Sequence, residues 1–162
     1  MSYDFNADDV LEIAEQLERN GGKFYRSAAD STSDPANKEF LLELAVMEDQ
    51  HEETFKTMRA ELSAKEKEST VFDPDGEAAM YLRALADTRV FFEKEIDVTS
   101  MRAILKSAIT AEKDSIVFYL GIKEAVDESL GQGRIDHIIK EEMGHSKLLS
   151  GQLVQYKALA PS

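Results

Sequence analysis

A chain of 162 residues, 43% of them hydrophobic, is about one domain's worth of sequence and can bury a continuous core without crosslinks. It has no cysteine, which excludes disulfides, a thiolate nucleophile, an iron–sulfur cluster and a rubredoxin-type iron centre within this chain. A formal net charge of -13 argues against nucleic-acid and anionic-membrane partners, because phosphates would be repelled rather than neutralised.

A single domain over residues 1–162 is therefore expected. Its N-terminus carries Asp4, Asp8 and Asp9 with no basic residue and no apolar run behind them, unlike a secretory signal, and no stretch approaches a membrane span. A cytoplasmic setting fits these features and the lack of cysteine. The acidity serves solubility, with a sharper alternative that acidic patches gather cations such as ferrous iron.

Three prolines, eight glycines and long stretches of period near 3.6 predict an almost wholly helical chain without strands. The first helix is expected to start with Asn6 as N-cap, with Asp8 and Asp9 in its first turn, and to run to about Ala29. Ser31 to Pro35 ends it. Asp34 as N-cap and Pro35 at the first helical position then start a second helix reaching about Leu62. So short a turn makes the two helices antiparallel neighbours. From Ser63 the pattern breaks into charged and turn residues, a short helix is expected from Gly76, and an irregular stretch follows near Phe91 to Val98. The third long helix is capped by Thr99 or Ser100 and runs to about Val126; the fourth runs from about Leu130 to Tyr156. Two hairpins joined by one long crossover make a four-helix bundle with ferritin-like connections.

The two halves repeat each other. Positions 18 and 112 differ by 94, as do 24 and 118, 25 and 119, 48 and 142, and 51 and 145, and every pair is an identity: Glu, Phe, Tyr, Glu and His. Ala14 and Ala108 agree as well. In the second helix Leu41, Leu44, Glu48, His51, Phe55, Met58 and Leu62 fall on one seam, apolar except in its middle. The fourth repeats this with Ile135, Ile138, Glu142, His145, Leu149, Gln152 and Tyr156. Ala14, Leu17, Gly21 and Phe24 surround Glu18 in the first helix; Leu105, Ala108, Ser115 and Tyr119 surround Glu112 in the third.

Four carboxylates aimed into one core would repel one another or be forced to protonate, and burying even one unpaired costs several kcal/mol. No basic residue lies on those seams beside them. Two divalent cations would balance four carboxylates, with two neutral imidazoles completing the donors, and Glu and His three residues apart share one helical face. The predicted metal ligands are thus Glu18, Glu48, His51, Glu112, Glu142 and His145. A lone Glu-x-x-His is a weak signal in so acidic a chain; two copies, each thirty residues after an inward glutamate, are a strong one. Mixed carboxylate and imidazole donors suit iron or manganese better than copper.

This pattern resembles the rubrerythrin-like members of the ferritin-like di-iron carboxylate superfamily over nearly the whole chain. The resemblance rests on Glu18, Gly21, Phe24 and Tyr25, the run Glu48 to His51, and their counterparts Glu112, Phe118, Tyr119 and Glu142 to His145. It implies two iron ions bridged by Glu48 and Glu142, with Glu18 and Glu112 as terminal ligands and one histidine on each iron. Manganese or a mixed pair is the alternative. It further implies a homodimer that reacts with dioxygen or hydrogen peroxide, as oxidase, peroxidase or ferroxidase, and draws on an external electron donor. The rival function is iron binding, storage or cargo without turnover. The chain departs from rubrerythrin proper in lacking the cysteine domain that feeds electrons in. It also has Ser115 where an extra glutamate would stand one turn beyond Glu112, and Asp114 is turned about a hundred degrees away.

Tyr25 and Tyr119 lie seven residues after their glutamates, on the same face, where a phenol would either orient a liganding carboxylate or simply pack. Phe24, Phe55 and Phe118 read as core. His137, one turn before Glu141, reads as a surface histidine. Met47 and Met143 beside the ligands invite a haem reading from a related branch, but core packing is the plainer role. Of the acidic run Glu12, Glu15 and Glu18, only Glu18 is expected to face inwards.

Overall fold

The computed structural model describes residues 7–62, 100–125 and 132–158. They form four helices, α1 (Ala7–Ser31), α2 (Pro35–Ala60), α3 (Met101–Ala125) and α4 (Gln132–Ala158), with no strand among the described residues. The expected Asn6 cap, the short helix from Gly76 and the stretch from Phe91 to Val98 lie outside the described residues. The identical pairs Glu18 and Glu112, Phe24 and Phe118, and Tyr25 and Tyr119 fall inside α1 and α3, so the repeat is structural as well as chemical.

Local chemistry sets the helix ends. Asp34 is extended, with φ -77 and ψ 119, and its carboxylate accepts the Asn37 backbone N–H at 2.9 Å while Pro35 opens the helix without a wasted donor. Thr32 to Asp34 alone join α1 to α2, which leaves no room for anything but an antiparallel hairpin. Ser100 takes the expected capping role at α3, its hydroxyl accepting the Ala103 N–H at 3.1 Å.

Burial follows the predicted seams. Six residues of the expected seam are buried within α2 and the seventh, Leu62, is buried just past its end, as are Ala14, Leu17, Gly21 and Phe24 of α1 and Leu105, Ala108, Ser115 and Tyr119 of α3. In α4 the seam holds from Ile135 to Leu149 but not to its end: Gln152 is half-buried and Tyr156 is exposed, while Leu153 beside them packs partly against an apolar cluster.

The apolar residues form two clusters at opposite ends of the bundle. One joins Leu11, Leu17, Phe55, Met58, Ile122 and Ile135; the other joins Ala28, Leu41, Leu44, Ile104, Leu105 and Leu149. Each helix contributes to both, and the order of its contributions gives its direction. Thus α2 and α3 run the same way, the relation that a crossover between two hairpins requires. A fully buried leucine or isoleucine contributes about 1.5–3 kcal/mol relative to exposure, so the two clusters hold the bundle closed against a costly polar layer between them.

That α1–α2 hairpin is also laced by ion pairs. Arg59 reaches Asp8 at 2.8 Å, Glu12 at 3.2 Å and Glu15 at 3.5 Å, and Arg19 reaches Glu52 at 2.8 Å. Glu15 therefore corrects an expectation: it is buried like Glu18, but beside Arg59 rather than in the central layer. Met143 corrects another. One residue past Glu142 it is turned to the outside and 58% exposed, so it is no core filler, whereas Met47 packs partly against the second cluster. Among the described residues no helix is long and apolar enough to cross a membrane.

Candidate metal centre

Between the two apolar clusters every helix presents a glutamate, and α2 and α4 add a histidine one turn later. Glu18, Glu48, His51, Glu112, Glu142 and His145 are all buried. Their donor atoms fall into two overlapping groups: Glu18, Glu48, His51 and Glu142, and Glu48, Glu112, Glu142 and His145. Within each group the atoms lie within 4.8 Å of one another. All six predicted ligands are thus brought together, and Glu48 and Glu142 are common to both groups. Close approach of α1 allows this. A Cβ at Gly21 would stand 3.1 Å from Glu48 Oε2 and 3.3 Å from its Cδ and Cγ, so a larger residue would press that carboxylate aside by a few tenths of an ångström.

Both imidazoles turn Nδ1 inwards. His51 Nδ1 lies 3.2 Å from Glu18 Oε2 and 2.8 Å from Glu142 Oε1; His145 Nδ1 lies 3.3 Å from Glu142 Oε2 and 3.4 Å from Glu48 Oε1. The rings stack with centroids 5.5 Å apart. Proximity is not satisfaction here. Glu48 Oε1, both oxygens of Glu142 and His145 Nδ1 are buried without a hydrogen-bond partner, and among the described residues no lysine or arginine pairs with any of the four glutamates. Buried polar atoms almost always find partners, so four orphans converging on one point mark a place for a cation. The donor set of carboxylate oxygens and imidazole nitrogens suits iron or manganese.

Protonation follows from the same crowding. Burial, and then the charges of Glu142, Glu48 and Glu112, raise Glu18 well above the usual carboxylate range. Burial and Glu142 push Glu112 up to about 8. At His145 burial opposes the charged form, but the carboxylates of Glu112, Glu142 and Glu48 outweigh it and push the imidazole up to about 12. His51 is raised too, Glu142 outweighing burial. Glu142 itself is lowered: burial and Glu48 work against its charge, while Glu112 and the two histidines outweigh them. Protons and metal ions are thus rivals for the same atoms.

The tyrosines cross between the halves. Tyr25 of α1 donates its phenol proton to Glu112 Oε1 on α3, and Tyr119 of α3 donates to Glu18 Oε1 on α1. Each holds an oxygen of the other half's glutamate, an exchange that spacing along one helix cannot reveal. Glu141 was also missed. Its Oε2 lies 3.0 Å from His51 Nε2 and 3.6 Å from Nε2 of the exposed His137. The available signal was its place immediately before Glu142, on a helix facing α2. Ser115 is buried at the position of the extra glutamate, and Asp114 is exposed and does not replace it.

A four-helix bundle enclosing one layer of four glutamates and two histidines is the ferritin-like architecture, and the layer fits a di-iron carboxylate protein. No family model matches the sequence, and no curated protein matches it. Among solved structures the chain is similar to a ferritin-like diiron-carboxylate protein of Thermotoga maritima, with 26% sequence identity and a TM-score of 0.69; the match covers 94% of this chain and 97% of that chain.

Proposed function

We propose that the layer binds two iron ions and that the loaded protein reacts with dioxygen or hydrogen peroxide, as a rubrerythrin-like oxidase or peroxidase or as a ferroxidase. One observation carries the reading: two four-donor groups share Glu48 and Glu142 at the centre of the bundle. On this reading Glu48 and Glu142 would be shared between the two ions, Glu18 and His51 would complete the donors of one position, and Glu112 and His145 those of the other. Two ferrous ions there would supply one electron each, enough with two protons to convert one hydrogen peroxide to two waters.

The chain's own residues set the conditions. Apolar clusters above and below keep bulk water from the layer, which strengthens every charge interaction inside it. The phenols of Tyr25 and Tyr119 hold protons against the terminal carboxylates and fix their orientation. Ser115 in place of a further glutamate favours oxidase or ferroxidase chemistry over the peroxidase chemistry of rubrerythrin proper. Electrons for turnover come from an external donor, and the working unit is a homodimer.

The test is metal analysis of the purified chain after anaerobic ferrous loading, with near-ultraviolet absorption followed on mixing with each oxidant. Two irons per chain that oxidise rapidly support the reading. Glu48→Ala and Glu142→Ala should each lose both metals, and retention of two full equivalents would sink the ligand assignment. Many irons per chain in a large assembly would instead favour storage.

A further inference from the structure

The two halves of the layer match in their ligands but not in what stands behind them. Because Nδ1 of each histidine faces the carboxylates, Nε2 of each ring points away from the layer. His51 Nε2 meets Glu141 Oε2 at 3.0 Å, across the bundle from α4. The repeat places Met47 of α2 at the position equivalent to Glu141, since 141 and 47 also differ by 94. Among the described residues His145 Nε2 has no hydrogen-bond partner, and a thioether in that register is at best a weak acceptor.

We infer that the metal position next to His51 is stronger than the one next to His145, because Glu141 buttresses the first imidazole and Met47 leaves the second without a counterpart. The inference rests on the ligand reading above. An N–H donated to a carboxylate fixes the tautomer that leaves the Nδ1 lone pair facing inwards, restrains the ring, and makes that lone pair a better donor. Loss of such a partner typically lowers metal affinity 10–100-fold. The Glu141 side chain is 44% exposed, and water weakens its pull, so the difference belongs near the lower end, about tenfold. Glu141 is a positioning residue, acting on the metal only through His51.

Cobalt(II) is a suitable probe. One equivalent added to the metal-free full chain, followed by anomalous diffraction, should place the ion beside His51 and Glu18, and titration should resolve two affinities about tenfold apart. Glu141→Ala, at a half-exposed helical site that tolerates alanine, should weaken the tighter step about tenfold and spread a single equivalent over both positions. Its metal-free unfolding midpoint should fall only slightly, because Glu141 is half-exposed and water can replace it at His51 Nε2, whereas a merely structural role would lower stability and leave the order of metal filling unchanged. Equal occupancy in the unaltered chain, first occupancy beside His145, or unaltered affinities in Glu141→Ala overturns the inference while leaving the two-metal reading intact. Failure to bind cobalt, iron or manganese at all overturns both.

Discussion

Three glycine-to-alanine substitutions separate what crowding does from what helix propensity does. In a helix interior the change from glycine to alanine is worth about 1 kcal/mol of stability if nothing is in the way. Gly151, exposed in α4 with nothing within 4 Å of an added Cβ, should gain that amount. At Gly22 the Cβ would come closest to a neighbour, 3.0 Å from Arg26 Nη1 and 3.1 Å from Asp49 Oδ1, yet those are the ends of an exposed surface pair that swing aside. Gly22→Ala should therefore be nearly neutral. At Gly21 the contacts are slightly longer, but the neighbour is the buried Glu48 carboxylate, hemmed in by three other glutamates and two histidines. Overpacking of that kind costs about 1–3 kcal/mol, so Gly21→Ala should be destabilised by up to about 2 kcal/mol after the propensity gain. Glu48 must also retreat by a few tenths of an ångström, more than the roughly 0.2 Å that metal–ligand distances tolerate, so cobalt affinity should fall tenfold or more, about 1.4 kcal/mol. Denaturant unfolding of the metal-free proteins and cobalt titration measure the two effects. A Gly21→Ala protein as stabilised as Gly151→Ala, binding cobalt unchanged, would refute the claim that close approach at Gly21 positions the ligand.

Tyr119→Phe and Tyr25→Phe each leave a buried oxygen of Glu18 or Glu112 without its donor, so each should cost about 1–3 kcal/mol in the metal-free protein and weaken metal binding; denaturant unfolding that finds phenylalanine neutral would reduce the phenols to packing. Stability without metal should fall as pH rises from about 6 to about 9. Glu112, raised to about 8, contributes fully below its unfolded value of 4.5 and loses that contribution as pH rises through its folded one; His145, raised to about 12, contributes fully below 6.5 and declines above it. Glu142 acts oppositely, since its lowered value gives stability above 4.5 that is lost as pH falls through the folded one. Saturating cobalt should remove the alkaline decline, because fewer protons then compete for the ligands; thermal melts with chelator and with cobalt across this range test the sign, and a metal-free protein that gains stability up to pH 9 would contradict it.

What could be read from the sequence was whatever the repeat wrote twice. Glu18 and Glu112, Glu48 and Glu142, His51 and His145 stand at one offset on seams otherwise apolar, and a seam has only one inside, so periodicity alone brought them to a common depth. Helix ends were legible where a side chain acts on its own backbone, as at Asp34 and Ser100. Contacts made between helices were not. Tyr25 and Tyr119 lie on the predicted face but exchange partners across the halves. Glu15 looked like one more solvated glutamate until Arg59, 44 residues away, was found beside it.

The departures from the repeat say more about this chain than the repeat does. Gly21 corresponds to Ser115, Glu141 to Met47, and Glu52, paired with Arg19 and Lys56, to Ser146. If the bundle only had to hold two ions in equivalent places, nothing in packing would require a glycine against Glu48 and a larger residue at the equivalent position, or a carboxylate behind one imidazole and a thioether behind the other. Each difference lies next to one of the six clustered residues: Gly21 leaves room for Glu48, which both donor groups share, and Glu141 reaches from α4 to His51, which belongs to one group alone. If the layer takes two ions as proposed, identical ligands set in unlike surroundings should make the two positions fill in order, the one beside His51 first.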